Sequence, residues 1–243
     1  MKDTIKIFNT AEELAGFFAS LLVLRIREKP GGQYFSWLLS GGSTPKTVFR
    51  LISSKFRDPA DWNRVKVFWG DERCVDPEDD ESNYKMAREN LLDHVPVPLS
   101  NIFRIRGEDD PVAEASRYSE LFTRHIDHGN NGYKADLIML GLGEDGHTAS
   151  IFPAGIQLFG SEKLFEVAEH PDKKQKRITA TGTIINHAKT VVILACGENK
   201  ASRVAQIIDR LNGWETLPAA RVRPENGNLI WLLDQKAAIK LKV

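Results

Sequence analysis

The sequence predicts an α/β fold in which a sheet is packed between helices. Short apolar runs alternate with amphipathic stretches along the chain, the pattern that a layered fold of this kind requires. Several of the runs are nearly continuous in branched or aromatic residues, as strands buried on both faces are. The composition agrees: 42% of the 243 residues are hydrophobic, so a sizeable core can form without a disulfide or metal staple.

Taken in order, residues 12–27 read as the first helix and 34–40 (YFSWLLS) as the first strand. A helix over 47–54 follows, then a strand at 65–69 (VKVFW) and a helix over 82–92 with Ser82 as its cap. A weaker strand at 101–104 precedes a helix at 112–126 and the strand 136–141 (DLIMLG). A second weak strand at 177–181 leads to the strand 190–195 (TVVILA). Residues 199–211 carry Ala201, Val204, Ala205, Ile208 and Leu211 at helical spacing, and 229–233 is the last strand. The polar stretches 128–132 and 169–176 read as surface loops. The irregular segment 150–160, following a Gly-rich strand end, reads as a cover over a site. With no linker, low-complexity tract or repeat, residues 1–243 read as one domain.

Charge and cysteine content exclude several classes. Lys plus Arg and Asp plus Glu are 33 each, so the chain lacks the basic excess of a nucleic-acid binder, and no such partner is expected. An anionic ligand must therefore be held by a local site. Cys74 and Cys196 cannot alone make a disulfide framework or a four-ligand zinc site. The opening MKDTIKIFNTAEEL has acids where a signal peptide needs an apolar core. Apolar runs such as FFASLLVL stop short of the roughly 18 residues of a membrane span. A cytoplasmic enzyme without a membrane partner is the expectation.

Three segments carry candidate chemistry. In LLSGGSTPK (residues 38–46), a strand runs into Gly41 and Gly42, then Ser43 and Thr44, then Pro45. Thr44 suits an N-cap and Pro45 the first helical position; the glycines allow close backbone approach and the free amides favour an anion. The same residues also suit a plain strand-to-helix turn, and both readings stand. It is no Walker A loop, because the four-residue spacer and the Lys-Ser/Thr pair are missing. VFWGDER places Asp71, Glu72 and Arg73 at the carboxyl end of a strand, where α/β sheets bind ligands; a solvated surface turn is the alternative.

The third segment is DLIMLGLGEDGHTASIFP. Gly141, Gly143 and Gly146 satisfy G-x-G-x-x-G, but Pro153, Gly155 and Gly160 interrupt the helix a dinucleotide site requires, so that reading is rejected. What remains is Asp145 two residues before His147 on a glycine-rich loop. A neutral imidazole can take a proton from water, and the acid can fix its tautomer. His94 and His187 lack such surroundings and read as structural or solvated. There is no G-x-S-x-G elbow and no His-Glu-x-x-His, and His125 with His128 make only a weak pair, so no catalytic metal is expected. Cys74, among Asp71, Glu72 and Asp76, has a setting that raises a thiol pKa, and Cys196 after VVILA reads as core.

SGGSTP, GDER, SNYKMAREN, GLGEDGHTASIFP, the Arg-Ile-Thr of residues 177–179, GENKA and LPAARVRPENGNLIWLLD occur in a fixed order. Together they resemble the glucosamine-6-phosphate isomerase/6-phosphogluconolactonase family over about residues 35–235, and within it the lactonases. The resemblance implies a three-layer α/β fold around a mostly parallel, Rossmann-like sheet. It implies hydrolysis of 6-phospho-D-glucono-1,5-lactone with no metal or organic cofactor, by a monomer or weak homo-oligomer. His147 matches the family's general base, with Asp145 its neighbour in the motif. Arg73 matches a substrate-contacting arginine, with Asp71 beside it, and Gly41, Gly42, Ser43 and Thr44 match the phosphate loop. Arg177 and Lys200 match basic residues that close on the phosphate. Lys200 is ill placed for the dipole as a mere helix-start residue, which favours a ligand role; Arg177 follows the basic DKKQK, so a solvated face stays open for it.

Two departures matter. The stretch VDPEDDESN has Asp79 near the place where family members usually carry a histidine. The related deaminases carry a glutamate where this chain has Phe152, which favours the lactonase. The competing readings are an isomerase or deaminase of another sugar phosphate, and a sugar-phosphate-sensing effector domain. The second needs a DNA-binding region, whereas the stretch of roughly 30 residues before the strand 34–40 reads as one helix with no basic helix-turn-helix.

Overall fold

The apolar runs become the strands of one parallel sheet. The computed structural model describes residues 4–57, 60–129 and 132–242. The chain forms strand β1 (Thr4–Phe8), helix α1 (Ala11–Glu28), β2 (Phe35–Leu39) and α2 (Ser43–Lys55). Strand β3 (Val65–Trp69) is followed by the short β4 (Asp71–Arg73), then α3 (Asn83–Ala87) and α4 (Pro111–His125). A hairpin of β5 (His128–Gly129) and β6 (Gly132–Tyr133) precedes β7 (Leu137–Gly141). Next come β8 (Phe165–Glu169), β9 (Lys176–Ala180) and α5 (Gly182–His187). Last are β10 (Thr190–Ala195), α6 (Ala201–Ile208), β11 (Asn228–Asp234) and α7 (Gln235–Ala238).

The main sheet has the order β1-β11-β10-β7-β2-β3, parallel throughout. Every residue of β2 and β10 is buried, so helices cover both faces and the fold is a three-layer α/β sandwich. Helix α1 lays Leu14, Phe18, Leu22 and Ile26 into the core, with Glu12 and Glu13 in its first turn and Arg25 and Arg27 in its last, each suited to the helix dipole. From β2 the chain moves outward to β3, and from β7 it moves the other way to β10. The order therefore reverses between β2 and β7, and ligands of open α/β sheets bind at the carboxyl ends beside such a reversal. A second, antiparallel sheet, β4-β9-β8, stands at that same end, with β4 beginning two residues after β3 stops.

The structure corrects several element boundaries. The first strand is β1, an edge strand with Ile5 and Ile7 exposed, so it lacks the burial pattern that marks the others. The stretch ahead of β2 thus holds a strand as well as a helix. Helix α2 starts at Ser43 and its cap is Gly42, not Thr44: φ of 105° at Gly42 turns the chain directly from strand into helix. Residues 101–104 make only a single bridge, Val67↔Ile102, because Tyr118 Oη takes the Phe103 carbonyl. The helix read over 82–92 widens to a π-helix at Arg88–Leu92, where the Asn90 side chain holds Met86 O and Ser53 Oγ holds Asn90 O. The loop read at 128–132 lies partly outside the described residues, and its flanks pair as β5 and β6.

Candidate active site

The glycine-rich turns that leave β2 and β7, the start of α6 and the small sheet converge on one cavity of about 620 Å³. The first wall is backbone. Gly41, Gly42, Ser43, Thr44 and Pro45 line it, and among the described residues no side chain caps the first amides of α2, so the helix start offers free N–H groups and a positive dipole end to an anion. Lys200, at the cap position of α6, lines the same wall, its Nζ 4.0 Å from Glu144 Oε1.

Between the walls stands the turn after β7. His147 Nδ1 lies 2.6 Å from Asp145 Oδ1, and the same oxygen accepts the His147 main-chain amide at 3.0 Å. A carboxylate at Nδ1 keeps the ring proton there and leaves Nε2 as an acceptor. Burial alone would raise the Asp145 pKa, but the hydrogen bonds from His147 outweigh it and hold the carboxyl below its ordinary value. Only glycine fits at 143, where a Cβ would come within 2.1 Å of His147 Nδ1. The imidazole packs on Phe152 with ring centres 4.7 Å apart. No helix opens at Gly146, in keeping with the rejected dinucleotide reading.

The second wall is the antiparallel sheet. Arg73 on β4 pairs in register with Arg177 on β9, so two guanidinium groups share one edge of the cavity. Like charges facing across a sheet cost stability, and both Nε atoms are buried with no hydrogen-bond partner among the described residues. Burial and then the Arg73 charge lower the Arg177 pKa. Arg177 is only 7% exposed and lies over the Phe152 ring, so the solvated-face reading does not hold for it. Arg73 donates to Glu81 O, and Asp71, buried beside it, accepts from Ser150 Oγ at 2.7 Å. Ser150 N in turn donates to Thr179 Oγ1 at 3.1 Å, fastening the His147 turn to this sheet.

Ten of the residues singled out in the sequence line this cavity: Asp71, Arg73, Asp145, His147, Arg177 and Lys200 with residues 41–44. Glu72 does not. Its carboxylate accepts the amides of Arg73, Asn83 and Tyr84 and the Ser82 hydroxyl, capping α3, and burial pushes it up to about 7. Segment 150–160 covers the site only through Phe152; Ile156, Phe159 and Gly160 line a different cavity. The Cys74 and Cys196 thiols are both pushed up to about 11, chiefly by burial, so neither is activated. Sequence reasoning missed His170, Pro171 and Asp172, which line the cavity from the hairpin between β8 and β9. The missing signal was β8: with that strand recognised, the loop 169–176 becomes a hairpin tip beside Arg177. Among the described residues no group of three His, Cys, Asp or Glu side chains could hold a metal, and no helix is long and apolar enough to cross a membrane.

The family model for glucosamine-6-phosphate isomerases/6-phosphogluconolactonase matches residues 9–231. A 6-phosphogluconolactonase of Treponema pallidum is 39% identical over 202 residues, covering 83% of this chain and 82% of its own length. The 6-phosphogluconolactonase of Haemophilus influenzae is 41% identical over 204 residues, 84% of this chain and 85% of its own. Among solved structures, the crystal structure of a devB protein superposes with a TM-score of 0.92 at 38% identity, over 98% of this chain and 99% of that one.

Proposed function

The chain belongs to the glucosamine-6-phosphate isomerase/6-phosphogluconolactonase family, and from that premise we propose that it is the hydrolase converting 6-phospho-D-glucono-1,5-lactone to 6-phospho-D-gluconate in the oxidative pentose phosphate pathway. One observation carries the mechanistic reading: an aspartate-oriented histidine, 2.6 Å from its partner, in a cavity that it shares with the free amides of α2, Lys200 and two facing guanidinium groups.

The substrate phosphate docks on the amides of residues 42–44 with Lys200 and Arg177, which holds the ring in a near-attack pose. His147 Nε2 takes a proton from water as the water oxygen bonds to the lactone carbonyl carbon. Asp145 stabilises the imidazolium, and Arg73 offsets the charge on the oxyanion. Collapse of the tetrahedral species breaks the bond to the ring oxygen, which receives the proton back from His147; the new carboxyl group then ionises. Phe152 packs on the His147 ring at the position where the related deaminases carry a glutamate, so the acid that serves their ring opening is missing. The reading takes residues 1–243 as one domain working in the cytoplasm as a monomer or weak homo-oligomer, with no cofactor, nucleic acid or membrane partner.

The test is hydrolysis of 6-phosphogluconolactone generated in situ and corrected for spontaneous decay, beside the unphosphorylated lactone and glucosamine 6-phosphate. Fast turnover of the phosphorylated lactone alone is the expected result. No acceleration over the blank, with sugar phosphate still bound, would move the chain to the sensor reading and leave His147 a binding residue.

A further inference from the structure

The hairpin between β8 and β9 carries a histidine that the mechanism above leaves unused. His170 N donates to Gln175 O at 2.9 Å, and its carbonyl accepts from Lys174 N at 3.0 Å, closing the turn. Its imidazole Nδ1 accepts two further main-chain amides, from Asp172 and Lys173, each at 3.2 Å. An acceptor at Nδ1 places the ring proton on Nε2. Burial, then the Arg177 charge, lower the His170 pKa, so the ring stays neutral in this one tautomer. The turn is also braced. Lys173 Nζ and Gln175 Nε2 hold the Glu81 carboxylate at 2.6 and 2.5 Å, and Glu81 O holds the Arg73 guanidinium.

Nε2 therefore lies on the edge of the ring away from the turn, with no protein partner among the described residues, and His170 lines the cavity. Its ring stands edge-on to Phe152, centres 5.0 Å apart, and Phe152 also meets the His147 ring at 4.7 Å. Phe152 is buried under Arg177 and the two imidazoles, so it serves as the support that sets both rings at the cavity, where their nitrogens can meet the hydroxyl groups of a sugar. The phosphate is already answered by the α2 amides, Lys200 and Arg177, to which a neutral donor adds no charge.

Building on the lactonase reading, we propose that His170 is a specificity-determining substrate contact whose Nε2–H donates to a sugar hydroxyl in the cavity it shares with His147. The turn and the contact use different ring nitrogens, so they can be separated. His170→Asn keeps an acceptor where Nδ1 holds the two amides but has nothing at the place of Nε2. His170→Gln puts an amide donor there instead.

KM for the lactone is expected to rise about tenfold in His170→Asn, the loss of one hydrogen bond, and to recover most of the way in His170→Gln. Competitive inhibition by inorganic phosphate should be alike in all three proteins. A wild-type KM in His170→Asn would reduce His170 to a turn residue and overturn the proposal. Parallel weakening of inorganic phosphate would move the contact to the phosphate and overturn the hydroxyl assignment. A wild-type chain that leaves the lactone untouched would instead remove the proposed reaction, and this contact with it.

Discussion

The two ends of the parallel sheet both bury charge, and they treat it in opposite ways. At the amino ends, Asp136, just ahead of β7, receives Lys29 Nζ at 2.8 Å, Lys189 Nζ at 2.7 Å, and Ser36 through both its amide and its hydroxyl. Burial alone would raise the Asp136 pKa, yet Lys189, Lys29 and Ser36 together hold it below the ordinary carboxylate value. At the carboxyl ends, Arg73 faces Arg177 and neither Nε finds a partner among the described residues. A satisfied buried charge fixes the fold. An unsatisfied one is a cost that an anionic ligand removes, which marks the second end as the place of function.

The sharpest test of that division is His147→Ala. In the proposed mechanism it is the general base, a role worth about 10²–10⁴-fold, so kcat for the lactone should fall by that factor. Its side chain is 29% exposed and bonds mainly to Asp145, so the urea midpoint should stay near that of the wild type. Full activity in the variant would place the base elsewhere.

The same division explains what the sequence disclosed. Asp145 and His147 are two positions apart on a glycine-rich turn, so their pairing is legible as local geometry. β2, β7, β10 and β11 are apolar over nearly their whole length because they are buried on both faces, and they too read directly. The small sheet does not. β4 is three residues long, and β8 mixes Glu166 and Glu169 with apolar positions, so neither carries a period. Without that sheet, the facing of Arg73 and Arg177 and the aim of His170 stay hidden. Asp136 shows the same limit at the other end. It reads as the first residue of a strand, while its partners Lys29 and Lys189 lie 107 and 53 positions away.

Asp136→Asn probes the amino end with the next largest effect. Removing the carboxylate leaves the buried Lys29 ammonium with Asp127 alone and strips the half-exposed Lys189 of its partner, which should cost about 3 kcal/mol in chemical denaturation at pH 7. The rate per folded molecule should not change. The sign of the pH dependence follows from the lowered pKa. Asp136 contributes its full stability above about 3.8, and that contribution disappears as pH falls through the lower folded value. The gap between wild type and variant should therefore narrow in acid; a gap that widens there would refute the assignment.

Arg177→Met carries the smallest effect on stability and decides most about the comparison. If the carboxyl end stores charge only for a ligand, deleting one of two facing guanidinium groups should leave the fold unharmed or raise its stability by about 1 kcal/mol. Methionine keeps apolar bulk against Phe152, so no large cavity opens to mask the gain. The same change should lower kcat/KM for the phosphorylated lactone about 100-fold, the loss of a charge-assisted contact to phosphate in a buried site. Stability and activity thus move in opposite directions at Arg177, whereas at Asp136 only stability moves. A destabilised Arg177→Met with normal turnover would mean that both ends of the sheet serve the fold alike, and that the phosphate rests on Lys200 and the α2 amides alone.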